Sequence, residues 1–396
     1  MINSSRTEEF VGHFGVSYKD GDNVYAYDDI SHGLYKINLN MRKADLVISF
    51  EDIHRDSLKE IKGITKYKNE IILIPFFSDF SWIFYDIEEK KIRYDCPFKN
   101  KINLSSAITI GNDLFLIPEN IYNPIVLFSL DKMMIIKTYE KWYKNDTNKK
   151  DDKKNFKIWG ASSYNKMVVF PIINSKRIVC MNFNDINIIT LDIPVTISSV
   201  SIYKDKIWIL PISGEYIYRS NLKGEIVDRV NLFQNEQRIS ANDFIRVVAI
   251  EELVVLFPIY EKNICVYQPE KKKILQIENK RSFLYGRLFE CNLTPYWDYV
   301  VEDEMLHILP CDYRYKRINI SAIEDKEYAL YYGENIDCIK YWKMAESINQ
   351  SRMFEKGKNG LDDFFQYLFY LSENPLAREN KIVGRKIWEN LNLNRK

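Results

Sequence analysis

Glycoside chemistry by carboxylates needs two of them about 5–10 Å apart across a cleft. The pairings open to that role here join Asp298 with Glu119 or Asp312. Arg246 and Asp298 are the two charges placed to face a bound ligand or, equally, to form a structural ion pair between adjacent blades. The four histidines are His13, His32, His54 and His307, three of them near the start of the chain, and no H-E-x-x-H occurs. The six cysteines (Cys96, Cys180, Cys265, Cys291, Cys311 and Cys338) form no C-x-x-C, so zinc ligation has no support. Cys180 and Cys265 sit in apolar strands, where a thiol is inert. Asp20-Gly-Asp22 offers oxygens to calcium but reads as turn chemistry. There is no G-x-S-x-G elbow, Walker loop or G-x-G-x-x-G fingerprint. No catalytic residue, metal or cofactor is assigned from these patterns.

Composition narrows the function further. Lys and Arg number 56 against 55 Asp and Glu, a net charge of +1, which lacks the basic bias of a dedicated nucleic-acid binder. One basic stretch, residues 141–157, carries seven Lys, but three interleaved Asp make it read as a solvated loop. No apolar run approaches the roughly 18 residues of a membrane helix, and the first residues lack the apolar core of a signal peptide. A cytoplasmic protein with reduced thiols is the expectation, and secretion with a trimmed signal the alternative.

These residues must be positioned by a repeat. A short apolar run ending in proline recurs as Ile71–Pro75, Leu114–Pro118, Met167–Pro171, Ile207–Pro211, Val254–Pro258 and Leu306–Pro310. Six of the twelve prolines stand at this one position. A seventh copy, Val24–Asp28, has Asp in place of Pro, and the copies follow at steps of 40 to 53 residues. Upstream of each lies a β-prone stretch and a tight turn such as Lys68-Asn-Glu, Gly111-Asn-Asp or Lys204-Asp-Lys. Downstream come a loop and a second hairpin, as in Trp82–Tyr94 and Tyr216–Val230. The unit is therefore four strands. Its second strand is apolar on both faces, as befits a strand between neighbouring sheets, and proline ends it because proline cannot donate to a ladder.

Seven such units over roughly residues 10–333 resemble the β-propeller superfamily, whose blades cannot bury their faces singly. The resemblance stops at the superfamily. The Gly-His…Trp-Asp signature of WD40, the kelch Gly-Gly doublet and the sialidase Asp box are all missing. The expectation is an all-β, seven-bladed β-propeller over residues 1–333 with a short α-helical C-terminal extension over 334–396. In that tail Leu361, Phe364, Phe365, Leu368, Phe369 and Leu371 recur at helical spacing, followed by Ile382, Val383, Ile387, Trp388 and Leu391. Such helices pack on the propeller or dock a partner.

In a blade of this kind the first-to-second and third-to-fourth connections share one rim and the longer connections share the other. The long-loop rim is where binding groups concentrate. It is expected to present Phe77, Tyr122, Tyr260, Tyr313 and Arg314 from loops after the prolines, and Trp297 between blades. Counting twelve residues back from each proline aligns Gly63, Ser106, Trp159, Ser199, Arg246 and Asp298 near the mouth of the central channel. The reading is a non-catalytic binding or scaffolding propeller for a peptide, protein segment or glycan. The alternative is a hydrolase or lyase acting on a carbohydrate-like substrate through rim carboxylates.

Overall fold

The computed structural model describes residues 9–10, 14–28, 33–50, 61–98, 101–143, 156–233, 239–251, 253–258, 263–277, 296–302, 305–310, 315–320, 325–328 and 330–332. Seven antiparallel four-stranded blades follow one another along the chain. Their first strands are Phe14–Asp20, Ile61–Tyr67, Leu104–Ile110, Ser162–Tyr164, Ile197–Tyr203, Phe244–Ile250 and Tyr296–Glu302. In each blade the four strands pair in chain order. The tail expected over 334–396 lies outside the described residues.

The sheets close into a ring. The first strand of blade 1 touches that of blade 2 on one side and that of blade 7 on the other. The described core also falls into seven clusters, one at each seam between neighbouring blades. An open row of seven sheets would make only six. The second strands show how one segment serves two seams. From Glu70–Pro75, Ile72 and Ile74 pack with Leu114, Leu116 and Phe128 of blade 3. Ile71 and Leu73 pack with Tyr25, Tyr27 and Leu34 of blade 1. All four isoleucine and leucine side chains are fully buried, each worth roughly 1.5–3 kcal/mol in area terms. This accounts for the lack of alternation that the sequence shows there.

The two rims differ as expected. On the short-turn rim the connections brace one another: the Ile87 N–H donates to Asn69 O at 2.8 Å, and Leu130 N–H to Asn112 O at 2.9 Å. The first residue of the turn is left-handed, with φ of 61° at Gly111 but also 52° at Lys68 and 56° at Lys204. Asn or Asp at the end of the third strand closes the other turn, as where Asp86 Oδ1 accepts from the Glu88 and Glu89 N–H groups.

Closure adds something the repeat does not contain. Leu330–Tyr332 pairs parallel to the outer strand of blade 1, Lys43–Ser49, with Tyr331 opposite Lys43. Glu9–Phe10 then pairs antiparallel to Leu330–Tyr332, so blade 1 becomes a six-stranded sheet.

Candidate functional site

The channel mouth is built by a bulge repeated in the first strands. The residue ending the second strand pairs with the first residue of the first strand, as in Ile61↔Pro75, Leu104↔Pro118, Ile197↔Pro211, Phe244↔Pro258 and Tyr296↔Pro310. One residue is then skipped, and Gly63, Ser106, Ser199, Arg246 and Asp298 resume the ladder. The alignment on proline therefore holds for these five. Blade 4 corrects it. There Ile158 bridges Ile172, and Pro171 pairs inside the sheet with Ile178, one position early. The counterpart of Gly63 is thus Gly160, and Trp159 occupies the skipped position instead. Trp297 holds the same skipped position in blade 7.

At this level blades 6, 7 and 1 assemble a polar cluster. Asp298 Oδ2 accepts from Ser17 Oγ of blade 1 at 2.6 Å, and its Oδ1 from the Tyr299 N–H at 2.9 Å. Burial pushes the Asp298 carboxyl above the usual carboxylate range, while the Arg246 guanidinium, Ser17 and Tyr299 pull against that shift. Arg246 lies 5.4 Å from the centre of the Tyr299 ring, which stacks on Phe257. Ser17 did not emerge from the sequence. It follows Val16, the blade 1 counterpart of Asp298, but its partner is 281 residues away.

Serines do similar work in blades 4 to 6. The Val247 N–H donates to Ser199 Oγ at 3.2 Å and Ala249 N–H to Ser201 Oγ at 2.9 Å, while Ile202 N–H donates to Ser162 Oγ at 3.2 Å. The first strand is the inner edge of its sheet, so these hydroxyls satisfy backbone donors that no further strand reaches.

The long-loop rim is held together by backbone bonds between each post-proline loop and the segment entering the next blade. Leu104 N–H donates to Phe76 O, Ile158 N–H to Glu119 O and Ala241 N–H to Gly214 O, each at 2.7 Å. Phe77 bridges Asn103 in this girdle, and its half-buried ring contacts Phe76 and Phe80 with Lys101 Nζ 4.1 Å from its centre. Tyr122 is 67% exposed and Trp159 48% exposed. Ile212 and Phe233, which sequence reasoning passed over, are exposed on the same rim in blade 5. Only their exposure marks them; nothing in a run such as Pro211-Ile-Ser announces it. Tyr260, Tyr313 and Arg314 lie outside the described residues, as do Asp312 and the centre of the Lys-rich stretch. Trp297 is described in its strand but not in its side chain.

Glu119 does not approach Asp298. It belongs to blade 3, where Lys157 Nζ contacts its Oε1 at 3.0 Å and Asn103 its Oε2 at 3.4 Å, whereas blade 7 adjoins blades 6 and 1. Cys180 and Cys265 are buried with thiols pushed up to about 12, as suits inert core residues. Among the described residues no three His, Cys, Asp or Glu side chains gather as metal ligands, and no helix is long and apolar enough to cross a membrane.

This ring of four-stranded sheets makes the chain a seven-bladed β-propeller. Solved structures share the fold. The computationally designed Ika8 protein matches with a TM-score of 0.53 at 8% identity, over 81% of this chain and 88% of its own. The WD40 repeats of RRP9 match with a TM-score of 0.52 at 7% identity, over 77% of this chain and 89% of theirs. No protein-family model matches the sequence, and no curated protein matches it. The architecture is thus shared with WD40 repeats although their sequence signature is absent.

Proposed function

We propose that this propeller is a binding scaffold that seats a protein segment on its long-loop rim over blades 3 to 5. The observation carrying this reading is the arc of exposed apolar side chains there: Tyr122, Trp159, Ile212 and Phe233. Large rings left in water on a rigid support are characteristic of binding hot spots. The support is rigid because the backbone beneath three of them is pinned. Tyr122 N–H donates to Asn120 Oδ1 at 3.1 Å, Ile212 N–H to Thr196 O at 2.9 Å and Phe233 N–H to Asn231 Oδ1 at 2.7 Å. Such pre-ordering lowers the entropy lost on association.

The enzymatic alternative gains less support. Asp298 has the raised pKa of a general acid, yet each of its oxygens already accepts a donor, and Glu119 is held by Lys157 on a blade that does not adjoin it. We assign the Arg246–Asp298 cluster chiefly to the seam between blades 6, 7 and 1.

A random peptide-display library panned against the immobilised full chain tests the reading. Enriched peptides are expected to lose about 30-fold in affinity on Trp159→Ala, the scale of a 2 kcal/mol hot spot. Arg246→Ala is expected to have little effect. Absence of enrichment, or peptides indifferent to Trp159→Ala and Tyr122→Ala, would refute it.

A further inference from the structure

The outer wall of the ring treats its sheet edges unequally. On blade 1 the edge is covered by Leu330–Tyr332. On blade 2 it carries Lys91, Arg93 and Asp95, and on blade 5 Asp228 and Arg229. Charge of this kind blunts an open edge. On blade 4 the turn at Gly224 of blade 5 packs against Ile189. On blade 3 the equivalent turn of blade 4 is met only at Lys137 and Tyr139, toward the end of the outer strand. That strand, Met134–Tyr139, exposes Met134, Ile135 and Ile136 in succession. The single charge within that strand, Lys137, turns away to donate to the carbonyls of Phe183 and Asn184 in blade 4 at 3.1 and 3.3 Å.

The sequence flanking this patch has a second property. About Ile136 it reads Lys132 on one side and Glu140 at the equal distance on the other. Both are exposed, and neither makes a hydrogen bond or ion pair among the described residues. They stand in the turns at opposite ends of the strand Met134–Tyr139, whose five residue steps alone span roughly 17 Å, so they cannot reach each other within one chain. Placed against an antiparallel copy of itself with Ile136 near the two-fold axis, the strand brings the end that carries Lys132 beside the end that carries Glu140, twice. Met134 and Ile135 then lie around Ile136 at the centre. Self-complementarity about an axis is what an isologous contact requires.

We infer that the outer strand of blade 3 is a homodimer contact, its occupant a second copy of this chain. The contact is made by side chains and is not a continued sheet. Leu127 pairs with Lys137 and Phe128 with Ile135, so Ile136 bulges out of the ladder and breaks the register that a foreign strand would need. A patch of three apolar residues is small beside a standard interface, so the dimer is weak and reversible.

Sedimentation velocity on the full chain over a concentration series tests this. The wild type is expected to show a monomer–dimer equilibrium, and Ile136→Asp to remain monomeric throughout. Lys132→Glu and Glu140→Lys should each raise the dissociation constant about tenfold, because both symmetry-related pairs are lost at once. The double variant Lys132→Glu/Glu140→Lys should recover the wild-type constant, an outcome that general surface damage does not produce. Unchanged thermal melts confirm that these exposed substitutions leave the fold intact. A wild type that stays monomeric up to about 300 μM overturns the proposal. So does a dimer indifferent to Ile136→Asp, or a double swap that fails to restore association.

Discussion

Between blades 2 and 3 the first strands come so close that a Cβ on Gly63 would stand 2.5 Å from the Ala107 Cβ and 3.2 Å from its carbonyl oxygen. Between blades 7 and 1, at the same level of the ring, a half-buried carboxylate stands instead and a serine reaches across to it at 2.6 Å. Both seams join first strands that run alike. The first is closed by removing atoms and the second by satisfying them. A seam of the first kind is intolerant of volume and indifferent to pH, whereas one of the second kind is the reverse. Each difference can be measured.

The largest effect is expected from Gly63→Val. The added branched side chain meets backbone as well as side chain at Ala107, so the strands must separate. Urea unfolding should show a loss of about 3 kcal/mol or more, the upper range for overpacking, and the loss should not vary between pH 5 and 8. A similar loss from Ser106→Val, at the equivalent place in blade 3, would show that the seam has no special closeness.

Blade 7 supplies the pH-dependent counterpart. His307 is buried, and desolvation together with Arg317 and Lys19 lowers its pKa from 6.5 to about 4. Between those values the unfolded chain holds a proton that the folded chain does not. Stability therefore rises with pH across that window and is lost as pH falls from 6.5 to 4, by on the order of 3 kcal/mol. His307→Gln should flatten this slope in unfolding curves taken at intervals of half a pH unit. Asp298 acts with the opposite sign. Its carboxyl is raised in the fold, so it costs stability as pH climbs above 3.8, and Asp298→Asn removes that contribution.

Ser17→Ala should cost about 2 kcal/mol, the scale of a hydrogen bond to a charged group. A double-mutant cycle with Asp298→Asn should return most of that as coupling; independence of the two losses would mean that the serine does not hold the seam. The smallest effect lies away from both seams. Lys68 and Lys204 adopt φ of 52° and 56°, a region costly to residues with a Cβ. Lys68→Gly and Lys204→Gly should each raise the melting stability by up to about 1 kcal/mol, without pH dependence.

The sequence made the ring legible because each blade repeats one chemical constraint. A strand buried on both faces must be apolar throughout, and a proline can end it because the register breaks there. Ile71–Pro75 and Val254–Pro258 carry that information within five residues. The same rule misled at blade 4, since Pro171 pairs with Ile178 within the sheet and Ile172 takes the terminal place. That shift of one residue is what set Trp159 in a position belonging to Gly160. The partnership of Ser17 with Asp298 was not legible, because a serine in a strand has no local mark of a partner across a closing seam. Nor was the strand Leu330–Tyr332, whose three residues lie beyond the repeat and pair with a blade made at the opposite end of the chain. The exposed arc of the rim was foreseen in Tyr122 and missed in Ile212 and Phe233. Exposure depends on what the neighbouring loops leave uncovered.

The short ribbon on blade 1 bears on how the molecule is made. Among the described residues Glu9 and Phe10 pair with Tyr331 and Leu330, and Tyr331 and Tyr332 in turn lie against Lys43 and Ala44. During synthesis the ribosome must deliver residue 332 before residues 9 and 10 have anything to join. Six blades can stack as they emerge, but the outermost strand of the first sheet stays vacant until then. Contacts of such long sequence separation form slowly, so the nascent chain carries an open wall through most of its translation, in the condition where unpaired strands are most prone to stray association.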